Sequence, residues 1–588
     1  MKKSENKEDV FLNKKNISRK DFMKLLGVGT LSLGMGSVIG FDKFIPKASG
    51  AQNNYANQNY YNTSQNIDKR VLNAFNVRVD SAEFERDLPI PDNYNNGDEN
   101  RYENKIASFS KPLPHDKLGI VDPEAYSNFI YALETKDYGA FENIPMGGSK
   151  SIGIQSNLSN TVSAFDFLSA TSNNYLKLAN PMAAFSFELI GPDSHHLYMK
   201  PAPRFDSAEE IGEIVELYWH ALTREIPFSE YKDNSLISDA CVDLTKLSKF
   251  YGPKSYGEVI PETIFRGDAF GNLVGPYISQ FLLKPIPYGA SKIEQKYNVG
   301  SPGSDYMISY DPWLHVQNGI VTEKENIDQI QRYIRNGRDL SEYVHKDFPY
   351  QAYLNACLIL LGSSYKFDSG NVYLSSKSQS GFSTYGPPHA LYLVASIANL
   401  SIKASWFQKW LVHRRLRPEV FGGYIHNNMM KKTDYPINNE ILDSYVLDII
   451  YKQNQSYLLP MAYPEGSPTH PAYPAGHAVI AGACTTVLKA FFDENAIIQD
   501  PVIPTSDGLN LIPYAGYDEL TVGGEINKLG ANVAIGRDFA GVHWRSDSIE
   551  GMKLGEELAI RYLLEQTDIF YEKSSFKFTK IDGSKVQI

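Results

Sequence analysis

The chain has 588 residues, 42% of them hydrophobic and 21% charged, which is enough for a large globular core and excludes intrinsic disorder for most of its length. A formal charge of −11, with no basic block in the body of the chain, argues against a nucleic-acid partner. Cys241, Cys357 and Cys484 lie far apart in apolar or small-residue runs; they lack zinc spacing, cannot form a disulfide framework and read as buried structural thiols.

The amino terminus has the layout of an export signal over residues 1–51. Lys14, Lys15, Arg19, Lys20 and Lys24 precede an apolar, Gly-rich run at 25–41, and Ser49-Gly50-Ala51 offers a cleavage site. The string Ser18-Arg19-Lys20-Asp21-Phe22-Met23-Lys24 resembles a twin-arginine signal with Lys at the second basic position. Such a segment predicts a periplasmic or secreted protein with no stable membrane span in its mature chain. Residues 52–66 are polar and repetitive and read as a linker. Beyond them no repeat or break is visible, so 67–588 reads as one large domain.

Helical periodicity dominates that body. Ser207 and Glu210 form a capping-box signature before the apolar face Ile211, Ile214, Val215, Tyr218 and Leu222. Further helices are predicted near 352–361, 390–410, 477–492, 526–537 and 548–564, separated by Pro and Gly clusters. The predicted class is all-α, a large helical bundle with long irregular loops.

Three segments carry the chemistry. The first, Lys409 to Glu419, places Lys409, His413, Arg414, Arg415 and Arg417 within nine residues at the end of an apolar helix. The second, from Ser467 through His470 and Pro474-Ala475-Gly476-His477, is a Pro/Gly loop that opens into a small-residue helix. Its free N–H groups suit an anion. The third holds Arg537, His543 and Asp547; the last two are four residues apart, so the carboxylate is placed to orient the imidazole. Two guanidiniums, an ammonium, a helix amino terminus and two histidines together suit a tetrahedral or trigonal oxyanion. No Cys/His or carboxylate spacing suggests a conventional divalent-metal site.

At these residues the sequence resembles the vanadium-dependent haloperoxidases, in the superfamily that also contains type-2 phosphatidic acid phosphatases and bacterial acid phosphatases. The pattern stands as Lys409 to Arg417-Pro418, Pro474-Ala475-Gly476-His477, and Arg537, His543, Asp547. The interval of eight from Lys409 to Arg417 is that of the algal bromoperoxidase branch. Phe265-Arg266-Gly267, Leu273-Val274-Gly275-Pro276-Tyr277, Ile286-Pro287-Tyr288-Gly289 and Gly386-Pro387-Pro388-His389 look like the same branch, so the resemblance covers about 200–565.

The resemblance implies a vanadate cofactor with His543 as the vanadium ligand. Lys409, Arg417, Arg537 and the Gly476 N–H would hold its oxygens, and His477 would be the acid–base group. His470 would lie behind them, and Trp406 beside a halide cavity. It implies hydrogen peroxide and bromide or iodide as substrates, hypohalous acid as product, small organic acceptors, a homo-oligomer, and calcium in some relatives, for which the loop at Phe367-Asp368-Ser369-Gly370 is the candidate. Ala475 departs from the pattern, because the family has Ser there. An exported phosphatase with a phosphohistidine intermediate, and an oxyanion-binding homologue without catalysis, are the competing readings.

Overall fold

Small residues spaced along two helices set the centre of the fold. In 476–491 and 545–569, Gly482 and Gly555 lie at the crossing of the helices: a Cβ at Gly482 would overlap the Met552 carbonyl oxygen, and one at Gly555 the Val479 carbonyl oxygen. Only hydrogen at these positions allows so close an approach, and the two helices make the most extensive packing in the protein.

The structure, a computed structural model, describes residues 64–148 and 175–588. The export segment and residues 52–63 of the linker lie outside the described residues, and Ser64 already begins a helix. The chain divides into two compact units, 1–83 and 84–588. Helix α1 (Ser64–Asp87) carries the chain past that boundary.

In the second unit the site is framed by α2 (Pro123–Thr135), α3 (Ala208–Thr223), α4 (Gly337–Lys346), α5 (Gln351–Gly362), α6 (Pro387–Phe407), α7 (Pro418–Met429), α8 (Gly476–Phe491), α9 (Val522–Phe539) and α10 (Arg545–Ile569). Strands are confined, among the described residues, to three antiparallel two-stranded hairpins: β1 (Ile286–Tyr288) with β2 (Ser291–Ile293), β3 (Val502–Pro504) with β4 (Leu511–Pro513), and β5 (Lys577–Thr579) with β6 (Lys585–Gln587). The architecture is all-α, as the periodicity predicts, with each predicted helix present and its ends shifted by one to several residues.

Helix α8 is the hub, packed on α10, α6 and α9, and from Ala478 to its end every residue is buried. All of α9 is buried as well. The three cysteines are free and buried, as expected, and burial pushes Cys241 and Cys357 up to about 12.

Side-chain caps start several of these helices. The Ser207 hydroxyl accepts from Glu210 N at 3.2 Å, but the Glu210 carboxylate does not close the box; it turns inward to Arg415. Asn336 caps α4 and Thr521 caps α9 by the same side-chain acceptance. Helix α8 starts without a side-chain cap, because its N-cap is Ala475.

Helix α6 does not stop at Phe407 but widens into a π turn, Gln408–His413, closed by Arg414 in the left-handed region at φ 36°. A π turn absorbs one extra residue without breaking the helical path. It accommodates the eight-residue interval from Lys409 to Arg417 while both side chains still reach one pocket. The run Pro387–His413 is long and apolar enough to cross a membrane by length and composition, a stretch that the sequence reading did not mark. Its packing against α8 and the burial of Lys409 are those of a core helix.

Candidate functional site

The five-cation segment is not a solvated helix end: Lys409, His413, Arg415 and Arg417 are all buried, and the structure sorts the cations by partner. Arg414 forks onto Glu99, with its Nε 3.0 Å from both carboxylate oxygens. Arg415 meets Glu210, Glu213 and Asp547 and stacks over the Trp544 ring. His413 packs edge-on against Tyr473. Lys409 and Arg417 donate hydrogen bonds to carbonyls of the Pro/Gly loop that leads into α8.

Lys409 Nζ donates to the Pro471 and Ala472 carbonyls at 2.7 and 2.9 Å. Arg417 donates to the carbonyls of His470 (3.0 Å) and Val542 (2.6 Å), and its Nη1 and Nη2 meet His543 Nε2 at 3.0 Å and His470 Nδ1 at 2.9 Å. Arg537, at the end of α9, gives Nη1 to the Val344 carbonyl at 2.7 Å, lies over the Tyr463 ring and leaves Nε without a hydrogen-bond partner. None of these three cations has a carboxylate partner among the described residues.

His543 and Asp547 form the expected pair, Nδ1 to Oδ2 at 2.8 Å. They do so across a helix start and not along one turn: Asp547 is in the first turn of α10, His543 precedes the N-cap Trp544, and the same carboxylate oxygen accepts the Trp544 N–H at 3.1 Å. This contact fixes the tautomer. A guanidinium only donates, so His543 Nε2, facing Arg417, is the unprotonated nitrogen and Nδ1–H points to Asp547. A lone pair on Nε2, backed by a carboxylate on Nδ1, is the arrangement a metal-ligating histidine needs. His470 Nδ1 lies between Arg417 Nη2 at 2.9 Å and the Pro471 carbonyl at 3.2 Å, so its contacts do not select a tautomer in the same way.

The electrostatics are lopsided. Burial, followed by Arg417, pushes Lys409 well below its usual range, and burial lowers Arg417 to about 9. Burial, with Arg417 and Lys409, holds His543 well below 6.5, and His470 is lowered by burial, Lys409 and Arg417. Each group is depressed first by burial, with neighbouring buried cations adding to it, and a bound anion offsets that penalty.

The amino terminus of α8 completes the pocket. The Ala475 N–H is taken by the Asp547 carbonyl at 3.0 Å, but Gly476 N–H and His477 N–H have no acceptor among the described residues and point back along the helix axis. A Cβ on Gly476 would lie 3.5 Å from Trp406 and 3.8 Å from Ser405 Oγ. Ser405 is fully buried and its hydroxyl has no hydrogen-bond partner. An orphan hydroxyl, orphan helix N–H groups, an orphan guanidinium Nε and a histidine lone pair fit a tetrahedral or trigonal oxyanion with a Lewis-acidic centre.

His477 is the most open of these residues, its side chain 23% exposed, and its Nε2 meets Asp347 Oδ1 at 3.0 Å. Trp406 packs its ring against His470 at 4.8 Å between centroids and donates Nε1 to the Ala179 carbonyl at 3.1 Å, so it walls the site and also joins the apolar cluster around α2. Asp368, in the candidate calcium loop, lies elsewhere, with Oδ1 accepting the Gly370 N–H at 2.8 Å. The sequence reading did not find Asp347, Ser405 or Lys111. Lys111 pins the Pro/Gly loop through the Glu465 and Ser467 carbonyls and Glu419, all within 2.8 Å. An isolated Asp, Ser or Lys carries no motif, and only the fold places each one.

An all-α protein with a cation-rich oxyanion pocket at a helix start and a carboxylate-backed histidine is thus defined. The family model described as the VCPO second helical-bundle domain matches residues 404–570, which include all three motif segments. The chain is 35% identical to the vanadium-dependent bromoperoxidase of Corallina pilulifera, over 89% of this chain and 99% of that one. It is equally similar to the vanadium-dependent bromoperoxidase of Ascophyllum nodosum, over 82% and 86%. Among solved structures, the homohexameric second vanadate-dependent bromoperoxidase of Ascophyllum nodosum superposes with a TM-score of 0.81 at 31% identity, covering 96% of this chain and 95% of that chain. The protein belongs to the vanadium-dependent bromoperoxidase family and is a haloperoxidase enzyme.

Proposed function

We propose that the protein binds vanadate in the pocket between α6, α8, α9 and α10 and oxidises bromide and iodide with hydrogen peroxide to hypohalous acid, which halogenates organic acceptors. The carrying observation is His543, whose Nε2 lone pair is fixed by Asp547 and surrounded by Lys409, Arg417 and Arg537 with no carboxylate facing them. When bound, vanadate supplies a Lewis-acidic centre at which hydrogen peroxide becomes electrophilic toward a halide.

Each residue then has a distinct task. His543 ligates the metal centre through Nε2. Arg417, Arg537 and the Gly476 N–H neutralise oxyanion charge by forked and backbone hydrogen bonds. Lys409, pinned by two carbonyls, presents a compact charge to the oxygen that is to be transferred. His477 is the acid–base group, with Asp347 holding its ring through Nε2. His470 anchors Arg417, and Trp406 closes the side of the pocket to water. Ser405 offers its buried hydroxyl beside Gly476, where Ala475 offers none.

The export layout of residues 1–51 supports a periplasmic or secreted location; amino-terminal sequencing of the released protein should start near Gln52. The homohexameric neighbour supports a homo-oligomer, which light scattering would show as a multiple of the protomer mass.

The test is bromination of a phenolic dye by the purified chain in phosphate-free buffer, before and after incubation with orthovanadate. Activity should require vanadate, and His543→Ala should lower it at least about a hundredfold at fixed vanadate. Turnover of p-nitrophenyl phosphate without vanadate, and no bromination with it, would overturn this reading in favour of a phosphatase.

A further inference from the structure

Outside the oxyanion pocket, one other cluster brings ligand-type atoms together. Glu342 and His345 lie on the last turns of α4, and Glu325 comes from the irregular segment before it; their ligand atoms all lie within 4.8 Å of one another. His345 is 8% exposed and Glu342 5%. We propose that Glu325, Glu342 and His345 form a structural site for a first-row divalent cation of the zinc or manganese class.

Three observations carry the assignment. First, the spacing is that of ligands on one ion: His345 Nδ1 lies 3.0 Å from Glu325 Oε1 and 3.6 Å from Glu342 Oε2. Ligands about 2.1 Å from a metal are separated by roughly 3.0–3.4 Å in octahedral or tetrahedral geometry. Second, these approaches lie outside hydrogen-bonding geometry. His345 Nδ1, Glu325 Oε1 and Glu342 Oε1 are each buried without a hydrogen-bond partner. A carboxylate left this way is costly unless an ion completes it. Third, His345 Nε2 meets Glu465 Oε1 at 2.6 Å, the carboxylate–histidine pairing that orients a metal-bound imidazole from behind.

The charges agree. Three glutamates and Lys346, whose Nζ is 2.9 Å from Glu325 Oε2, total −2, and a divalent cation beside neutral imidazole brings the cluster to zero. A His/carboxylate ligand set favours zinc or manganese over calcium, which takes oxygen ligands.

The site sits where it can support the pocket without touching it. The His345 ring stacks on Tyr463 at 3.7 Å, the Arg537 guanidinium lies over the other ring, Val344 accepts from Arg537, and Asp347 holds His477. An ion joining the 318–330 segment to the end of α4 fixes the strut behind both residues.

The test is metal content, read without vanadate or turnover. The full chain is stripped with EDTA, equilibrated separately with zinc and manganese chlorides, desalted and measured by plasma mass spectrometry and thermal melting. The wild-type protein should retain about one ion and melt higher when loaded. Glu342→Gln, which keeps the side-chain shape, should lose both properties, and Glu465→Gln should bind roughly 10- to 100-fold more weakly. If Glu342→Gln does not fold, Glu325→Gln, on the half-buried segment, gives the same reading. Wild-type protein that retains no more metal than these variants would overturn the site and leave His345 as an imidazolium held by carboxylates.

Discussion

Arg415 and Arg417 are two residues apart, equally buried, and opposite in character. Arg415 is enclosed by Glu210, Glu213 and Asp547, and their charges raise its affinity for the proton above that of a free guanidinium despite the burial. Arg417 meets carbonyls and two neutral imidazoles, and burial lowers it to about 9. Behind Arg415 the pattern continues with Arg545 forked onto Glu216, so one side of the motif is a carboxylate-rich ion-pair layer and the other a pocket of unbalanced cations. The lesson is that neither residue type nor burial makes an anion site; the site is where the carboxylates have been left out.

Breaking the ion-paired side should have the largest effect on stability. Arg415→Met leaves Glu210, Glu213 and the Asp547 Oδ1 contact without their cation and should destabilise the protein by about 3–5 kcal/mol, read by urea unfolding. On the unbalanced side Arg417→Met should behave differently. It removes a cation that has no carboxylate partner, so the vanadate-free protein should lose much less stability than Arg415→Met. Its vanadate affinity should nevertheless fall by about ten- to a hundredfold in equilibrium dialysis. Equal stability losses in the two variants would erase the distinction between the regions.

A smaller effect tests how the pocket manages without the family serine. Ala475→Ser adds a hydroxyl at the N-cap of α8 and should tighten vanadate by about tenfold or more, while Ser405→Ala should weaken it by a few-fold to tenfold. If Ser405→Ala leaves the dissociation constant unchanged, the buried hydroxyl has no part in oxyanion binding.

The motif residues were legible because their chemistry is local. Arg-Pro, Gly-His and the Arg–His–Asp spacing sit on helix ends whose signals the sequence carries, and the fold brings Lys409, Arg417, Gly476, His477, Arg537 and His543 to one place. Other features were illegible for physical reasons. Whether a run such as 387–413 lies in a core or a membrane depends on what packs on it, and the π turn that admits the extra residue leaves no residue signature. The His543–Asp547 pair was found by its spacing of four, yet it spans a helix start, because a helical turn and an N-cap place residues at similar separations.

The sequence by itself determined the class of helix, the positions of Gly482 and Gly555 that let α8 and α10 touch, and the set of cations and histidines available for chemistry. Only the tertiary structure decided which cations are neutralised and which are left to an anion. Glu99, Glu210 and Glu213 reach Arg414 and Arg415 across more than 200 residues of chain, and Asp347 reaches His477 across 130. Charge compensation at such separations follows from packing, and no local pattern encodes it.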